Sequence, residues 1–455
     1  MKKENIYIWS LWILVFIIFT SCENELEIDP RQSIDGEIAL STEQNIEALL
    51  LGVYDETGQN DSYGGRIQLA ADLLGTTDQV NWNGTFLDPR QFISKSILVD
   101  NVFVSNHWAN AYESINQANL ILDNIAVVTS NEANKNRVEG EAKFLRALNY
   151  FDLVRFWGVP YQAGMNNDQP GVPLRLMGRI DFSEDLSAPR ASVENVYEQI
   201  LKDLEDSYTL LEKSNGIFAD RYAAQALRAR VYLQQGNYAA ARDAANDVIE
   251  NSGHSLVTTY SEAFNNDADS VESLFAFQVT NQTGENDLVL FYASQGNGGR
   301  GGDITINDTY LNLFMSQNDD RATFFDPNSD DRLTAKYTNQ FGNIEVFRLA
   351  EMYLIRAEGN LIENTAVGNT TIEDINIIRE RAKAEPLTGM ITQETILLER
   401  QRELAFEGFL LHDIRRTGNM VGDLASNAPT LVLPIPQNEL DTNDQIEQNP
   451  GYTSN

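Results

Sequence analysis

The residues between positions 58 and 91 combine flat aromatic rings with side chains that form hydrogen bonds. The apolar face of a pyranose ring can pack on an aromatic ring, while amides, carboxylates and arginine satisfy the sugar hydroxyl groups. This mixture therefore predicts a sugar-binding surface. The candidate residues are Tyr63, Arg66, Asp72, Asp78, Trp82 and Asn83. In the alternative interpretation, each aromatic side chain only packs the segment against the protein body.

A second mixture of this kind lies beside the glycine-rich segment 296–302 and consists of Phe291, Tyr292, Asn297 and Arg300. The letters GNGGRG at 296–301 also fit the G-x-G-x-x-G pattern of dinucleotide-binding proteins. That pattern requires a helix to begin at the glycines within a strand-helix-strand unit. Here the glycines lead into GDITI, which does not begin a helix. We therefore expect a flexible loop on a binding face and no dinucleotide.

The sequence offers little chemistry for catalysis or for metal binding, and we predict neither an enzyme nor a cofactor. The only histidines are His107, His254 and His412, and none belongs to a metal-binding motif. No G-x-S-x-G motif supports a catalytic serine. A carboxylate pair would serve a glycoside hydrolase, but with 67 acidic residues no pair stands out. The acidic segment 319–331 lacks the spacing of an EF-hand loop, so only a less regular Ca²⁺ site remains as an alternative.

Charge and the N-terminus indicate an exported protein. The net charge of −34 repels nucleic acid, which we exclude as a partner. Lys2 and Lys3 precede an apolar run at 6–19, and small residues then lead to Cys22, the only cysteine. This order is typical of a bacterial lipoprotein, so we predict a signal peptide at 1–21 and lipidation of Cys22. Acylation would leave no thiol for a disulfide, and we expect 22–455 to form a single unit.

The elements that must position these residues are predicted as pairs of helices. Apolar residues recur at helical spacing from Tyr222 to Leu233 and again from Tyr238 to Ile249, with Gly236 in the turn between. Such a unit of about 34 residues is typical of a tetratricopeptide-like repeat, which needs neighbours to bury its second face. We predict a mainly α fold with about four such pairs, at about 43–60, 101–160, 190–253 and 345–385. They pack on irregular segments at about 58–100 and 255–344, which hold short strands near 273–279 and 288–292.

Several motifs, in this order along the chain, resemble those of the SusD/RagB family. The clearest are RLAEMYLIRAE at 348–358 and ERQRELAFEG at 399–408. The others are FWGVPY at 156–161, PR at 189–190 with SV at 192–193, IN at 375–376 with RERA at 379–382, DIRR at 413–416, PIPQNE at 434–439 and QNPGY at 448–452. The resemblance spans essentially the whole chain after Cys22, and Glu23 and Glu25 also resemble the surface-export signal of lipoproteins from the same bacterial group.

The resemblance implies four tetratricopeptide-like helix pairs and a lipoprotein on the cell-surface side of the outer membrane. It also implies a partner, a SusC-like TonB-dependent transporter, for which the protein would capture oligosaccharides or, in some members, peptides. We therefore expect a non-catalytic glycan-binding lipoprotein, with peptide binding as the alternative. An unrecognised glycoside hydrolase and a pure assembly scaffold are further alternatives. The charged residues at 351–358 and 399–403 have the spacing for ion pairs within one helix, so we expect a structural or partner-facing role for them.

Overall fold

The structure is a computed structural model that describes residues 40–183, 185–282 and 286–453. The signal peptide predicted at 1–21 and the lipidation predicted at Cys22 lie outside these residues. The described part of the chain contains 15 α-helices and four short β-strands, which confirms the predicted fold class.

The elements are numbered in chain order. The helices are α1 (Glu43–Thr57), α2 (Arg66–Gly75), α3 (Leu87–Ile93), α4 (Val102–Asp123), α5 (Glu132–Trp157), α6 (Val193–Leu210), α7 (Arg221–Gln234), α8 (Tyr238–Asn251), α9 (Asp287–Tyr292), α10 (Asp308–Leu311), α11 (Leu349–Glu363), α12 (Thr371–Arg381), α13 (Gln393–Glu403), α14 (Leu410–Arg416) and α15 (Gln437–Thr442). The strands are β1 (Val80–Trp82), β2 (Ser273–Phe277), β3 (Ile304–Ile306) and β4 (Ile344–Arg348).

The long helices begin where a polar side chain accepts a hydrogen bond from a backbone N–H of the first turn. Thr42 caps α1 in this way, Asn101 caps α4, Asn131 caps α5 and Ser192 caps α6. The Asp220 carboxylate accepts from two such N–H groups of α7, at 2.8 and 2.9 Å. Each cap satisfies a donor that has no partner within its helix, which explains why the helices begin at these positions.

The long helices pack in sequence into one array. Helix α1 packs against α4, α4 against α5, α5 against α6, α6 against α7, and α7 against α8, while α8 packs against α11 and α11 against α12. Small residues allow close approach: Ala226, Ala229 and Ala241 are fully buried between the helices. A Cβ atom on Gly359 of α11 would lie 2.7 Å from the carbonyl oxygen of Tyr238 in α8, a distance that only glycine permits.

Three segments differ from the sequence-based prediction. Residues 66–75 were expected to be irregular, but they form α2, which is buried along almost its whole length because it packs beside α14. Residues 288–292 were expected to form a strand, but Asn286 accepts hydrogen bonds from Leu288 N and Val289 N and so caps the short helix α9. The helix predicted from Glu345 begins only at Leu349, because the preceding residues pair with β2 as strand β4. A short apolar run does not by itself distinguish a strand from a buried helix.

The four strands form two antiparallel two-stranded sheets. In the first, β1 pairs with β3, so that Val80 lies opposite Ile306 and Trp82 opposite Ile304. In the second, β2 pairs with β4 and buries all five of its residues, as predicted for a strand near 273–279. The first sheet therefore joins the two irregular segments that carry the candidate binding residues.

Buried charged residues, several of which belong to the family motifs, form what we call the ion-pair network. Its members are Arg321, Arg348, Arg381, Lys336, Glu272, Glu399, Glu403 and Glu407. Glu403 contacts Arg381, Arg348 and Arg321, which lie in α12, in β4 and in the segment before β4. Although burial favours its protonated form, these arginines lower the pKa of Glu403 to about 2.

The predicted pairing within single helices is mostly wrong. Glu351 pairs with Arg230, and Arg356 with Asp374, so both reach another helix. Only Arg402 with Glu399 keeps the expected i,i+3 spacing among these motif residues of the described chain. The structural role is nevertheless confirmed, because these side chains are buried and connect separate elements.

Four further motifs meet at the end of α5. The indole N–H of Trp157 donates to the carbonyl of Pro434 at 2.7 Å, and Asn449 donates to the carbonyl of Trp157 at 3.0 Å. Arg190 donates to the same Trp157 carbonyl at 2.9 Å and to the Asn449 side chain at 2.8 Å. Motifs that are hundreds of residues apart in the chain thus form one hydrogen-bonded cluster.

Candidate functional site

Trp82 is positioned by the short sheet of β1 and β3. Side chains alternate along a strand, so Val80 is buried, Asn81 is exposed and Trp82 returns to the inner side, where it is half-buried. The Trp82 ring packs on Phe291 of α9, with ring centroids 5.8 Å apart and the planes inclined by 50°. The backbone N–H of Asn83 extends the pairing by donating to the Asp303 carbonyl at 2.7 Å.

Gly84 fixes the position of the Trp82 ring. A Cβ atom at this position would lie 2.5 Å from Cζ2 of Trp82 and 2.7 Å from Cγ of Asp303. Both distances are far below normal contact distances, so only glycine allows the chain to turn this closely around the indole. The backbone of this turn is also held by Arg90, whose guanidinium donates to the Gly84 carbonyl at 2.9 Å.

Arg300 lies over an exposed ring beside Trp82. Its Nε donates to Asp303 Oδ2 at 2.8 Å and its Nη2 to the Thr85 hydroxyl at 3.2 Å. These bonds hold the guanidinium carbon 4.2 Å from the ring centroid of Phe86, which is 42% exposed. We call the patch formed by Trp82, Asn83, Phe86 and Arg300, together with the buried Asp303 that bonds Arg300, the Trp82 surface.

Phe291 supports the Trp82 surface from below. Its ring is 1% exposed and lies 6.1 Å from Phe86 and 6.1 Å from Phe103, in addition to its contact with Trp82. The guanidinium of Arg66 lies 4.7 Å from the Phe103 centroid, and its Nε donates to Asp287 at 2.7 Å. The two sets of residues singled out in the sequence therefore meet at one buried phenylalanine.

Amides and a carboxylate line the outer edge of the same sheet. Asn83 donates to the Thr305 hydroxyl at 2.9 Å, and Asn81 donates to Asn307 at 2.6 Å. Asp78 is exposed and accepts a hydrogen bond from the Thr309 hydroxyl at 2.8 Å. These groups are polar and open to solvent, as hydrogen bonding to sugar hydroxyl groups requires.

Four of the predicted site residues lie away from this surface. Tyr63 is 4% exposed and packs on Phe277, and Tyr292 is fully buried, so neither ring presents a face to solvent. Asn297 donates to Asp326 at 2.9 Å, which ties the glycine-rich segment to the protein body. Asp72 is buried, and its carboxyl group accepts hydrogen bonds from Gly408 N at 3.1 Å and from the Tyr292 hydroxyl at 3.3 Å.

Burial changes the protonation of two of these groups. It raises the pKa of Asp72 to about 8, so this carboxyl group is mainly protonated at neutral pH. It also raises the pKa of the Tyr292 phenol well above its usual range, with the Asp72 charge acting in the same direction. Both groups therefore act as uncharged parts of the protein interior.

The sequence analysis did not include Phe86, Phe103 and Asp303 among the candidates. Phe86 directly follows Gly84 and Thr85, and Leu87 beside it is 60% exposed, so two adjacent apolar residues remain in solvent after folding. Such an apolar pair in a segment rich in Asn and Gly could have identified Phe86 as a candidate binding residue. No local pattern identifies Asp303, because its role depends on Arg300 and on the pairing of two distant strands.

Within residues 40–183, 185–282 and 286–453, every helix is too short or too polar to cross a bilayer. The same part of the chain contains no group of three or more His, Cys, Asp or Glu side chains placed to hold a metal ion. The alternative of a Ca²⁺ site in 319–331 gains no support from these residues.

The fold and the surface together define a class: a helical-repeat scaffold that presents an aromatic and polar patch on irregular segments. Comparison with known proteins names the family. A family model described as "Starch-binding associating with outer membrane" matches residues 26–233, and the SusD family model matches residues 258–427. The chain belongs to the SusD/RagB family.

Individual relatives agree with this assignment. A SusD-like protein of Formosa agariphila is 29% identical, over 97% of this chain and 97% of its own length. The starch-binding protein SusD of Bacteroides thetaiotaomicron is 24% identical, over 74% of this chain and 76% of its own. A crystal structure of a putative sugar binding protein from Bacteroides vulgatus is 27% identical and superposes with a TM-score of 0.81, covering 91% of this chain and 99% of that chain.

Proposed function

We propose that this chain is a non-catalytic, cell-surface lipoprotein that binds a neutral oligosaccharide or polysaccharide at the Trp82 surface. It delivers the glycan to a SusC-like TonB-dependent transporter in the outer membrane. The family membership supports the class of function, because relatives are named as starch-binding and sugar-binding proteins.

One observation carries the choice of site: Arg300 is held over the exposed ring of Phe86, next to the half-exposed Trp82. A pyranose ring needs aromatic surface and adjacent hydrogen-bond donors, and this patch combines two partly exposed aromatic rings with a guanidinium.

The carboxylates near the patch support binding without catalysis. Asp303 holds Arg300 through its Nε, and Asp78 accepts a hydrogen bond from Thr309. A glycoside hydrolase needs two carboxyl groups placed on opposite sides of the scissile bond, one of them able to donate a proton. Here Asp303 serves to position an arginine, and Asp78 belongs to the outer edge of the sheet.

Lipidation of Cys22 would anchor the protein in the membrane, and surface export would place the Trp82 surface outside the cell. Residues 23–39 would then connect the anchor to the described part of the chain, which begins at Leu40. A glycan bound at an exposed patch on an anchored protein remains close to a transporter in the same membrane. Release into the transporter would follow when the patch is brought against its opening.

Calorimetric titration of residues 23–455 with neutral and acidic polysaccharides and a mixed peptide digest tests the proposal. We expect saturable binding to a neutral glycan, weakened at least tenfold (about 1.4 kcal/mol) in both Trp82→Ala and Phe86→Ala. Phe182→Ala is the matched control, because Phe182 is 63% exposed and follows a segment bonded to Asn116. Asn116 lies about 20 Å along α4 from Phe103, at 1.5 Å per residue, and Phe103 packs on Phe291 below the Trp82 surface. The control residue is therefore placed by a distant part of the same helix.

The other outcomes identify the alternatives. Binding that survives both aromatic substitutions would keep the function and reject this site. Binding heat with the peptide digest and none with the glycans would favour the peptide-binding alternative. Release of product from a polysaccharide would favour a hydrolase. Binding to the transporter with no small ligand would indicate an assembly scaffold.

A further inference from the structure

A cavity lies apart from the Trp82 surface. It has a volume of about 330 Å³ and lies between α2, α13 and α14, with the 404–409 turn at one end. None of Trp82, Phe86 and Arg300 lines it. Its size is within the range of small-molecule pockets in proteins, so it is large enough for a compact organic ligand.

The walls of this cavity are mainly apolar. Leu397 and Leu398 line it from α13, and Leu410 and Ile414 from α14. Phe406 and Phe409 contribute two rings from the connecting turn. Thr77, Asn419 and Met420 also line the cavity and are exposed, so they mark its open side. An apolar chain or ring entering from this side would be removed from water.

Arg400 is the buried cation in the wall. The residue is 1% exposed, and its Nε donates to Asp413 Oδ2 at 2.8 Å. Its Nη1 is also buried but has no hydrogen-bond partner in the described part of the chain. A buried guanidinium donor without an acceptor is costly, because it has lost water and gained nothing in exchange. The cavity beside it therefore favours a molecule that brings an acceptor oxygen.

The charges around the cavity decide what kind of acceptor fits. Asp413 already serves two arginines, since Arg416 Nε donates to its Oδ1 at 2.8 Å while Arg416 also pairs with Glu358. Glu394 adds an exposed carboxylate to the lining. Asp72 also lines the cavity, and its raised pKa keeps it mainly uncharged at neutral pH. Two carboxylates, those of Asp413 and Glu394, would repel an anionic ligand but would not repel an uncharged carbonyl group.

We propose that this cavity binds an uncharged acyl compound, an amide or ester whose carbonyl oxygen accepts a hydrogen bond from the Arg400 guanidinium. The aliphatic or aromatic body of the ligand fills the space between α13 and α14. The inference is independent of glycan binding, since it concerns a different set of residues. It adds a ligand site to helices whose charged residues otherwise hold the fold together.

Two probes of matched shape test the ligand class on residues 23–455, which include every described residue. The probe 3-phenylpropanamide carries an uncharged carbonyl, and 3-phenylpropanoate has the same size but is anionic at neutral pH. Calorimetry and saturation-transfer NMR should show saturable binding of the amide and at least tenfold weaker binding of the anion. Equal or tighter binding of the anion, or no saturable binding of the amide, would overturn the proposal.

Variants test the location. Arg400→Met removes the free donor and should weaken amide binding at least tenfold. Arg402→Met is the matched control, because Arg402 is also buried in α13 but bonds Glu399 and does not line the cavity. Leu398→Trp fills the cavity from a half-buried helix position and should abolish binding.

Amide affinity that is unchanged in both Arg400→Met and Leu398→Trp would reject the site. If Arg400→Met fails to fold, Leu398→Trp still tests the site, and the comparison of amide with anion still tests the ligand class. Trp82→Ala should leave amide binding unchanged. A negative result for amide binding at this cavity can therefore be distinguished from a negative result for glycan binding at the Trp82 surface.

Discussion

Arg300 of the Trp82 surface and Arg321 of the ion-pair network both bond carboxylates, but they do so in different surroundings. The Arg300 side chain is 33% exposed and bonds one aspartate, while that of Arg321 is fully buried among Asp319, Glu399 and Glu403. A buried cation must keep its partners, since losing one leaves a charge without solvation. An exposed cation can exchange a partner for water or a ligand at little cost.

The buried ion-pair network therefore specifies the fold, whereas the Trp82 surface serves recognition. The family motifs supply many of the buried charges, and these charges pair with residues of distant elements. The residues of the Trp82 surface are instead held by a two-stranded sheet and by single hydrogen bonds to loop residues. Changes there should alter binding while leaving the protein folded, and changes in the ion-pair network should do the reverse.

The largest effect is expected for Glu403→Gln. This change leaves Arg381, Arg348 and Arg321 buried with one carboxylate fewer, and should lower the free energy of unfolding by about 3–5 kcal/mol. Urea denaturation measures it, and Glu380→Gln on the exposed side of α12 is the control. Glycan affinity of the folded variant should be unchanged. A loss below about 1 kcal/mol would contradict the assigned role of the network.

The next effect concerns pH and Asp72. Its folded pKa of about 8 lies above the reference value of 3.8, so the folded state keeps a proton that the unfolded state loses. This contribution is fully present below about pH 4 and is lost as the pH rises toward 8. Asp72→Asn should therefore remove a decline in unfolding free energy of about 2–3 kcal/mol between pH 5 and pH 7, since one proton contributes about 1.4 kcal/mol per pH unit.

Urea denaturation of both proteins at pH 5, 6 and 7 measures this difference. The Asp55→Asn variant is the control, because it removes one carboxylate from an exposed position. Identical pH dependence in Asp72→Asn and the original chain would show that Asp72 is already ionised in the folded protein. Asp72 would then be available to a ligand as a carboxylate, which would return it to the candidate binding residues.

A smaller effect is expected for Gly84→Ala, which acts on the Trp82 surface from within. The added methyl group must displace Trp82 or Asp303, so glycan affinity should fall about tenfold, or about 1.4 kcal/mol. Gly296→Ala is the control, because a Cβ there meets only Ser294 Oγ, at 4.0 Å. Calorimetry with the glycan identified for the original chain measures both. Unchanged affinity in Gly84→Ala would mean that the position of the indole is unimportant.

The smallest effect is expected for Lys383→Met. Lys383 pairs with Asp320 at 2.9 Å, but its side chain is 66% exposed, so the pair should contribute less than about 1 kcal/mol. Urea denaturation at low and high salt tests this value. A loss comparable to that of Glu403→Gln would remove the distinction between exposed and buried pairs in this protein.

Much of the scaffold could be predicted from the sequence. The helix pair at 220–251 follows from apolar spacing and a glycine turn, and its helices begin after Asp220 and Asn237. The family motifs likewise identified residues that hold the fold. The short elements were harder, since 288–292 forms a helix only because Asn286 caps it.

The sequence by itself determined the long helices, the family and the presence of aromatic residues in two irregular segments. These properties depend on neighbours within one or two helical turns or on motifs that can be read in order. Only the tertiary structure decided which aromatic side chains remain in solvent. Phe291 became a buried support, Phe86 an exposed face, and Asp303 the partner of Arg300, because the pairing of β1 with β3 joins segments that lie more than 200 residues apart.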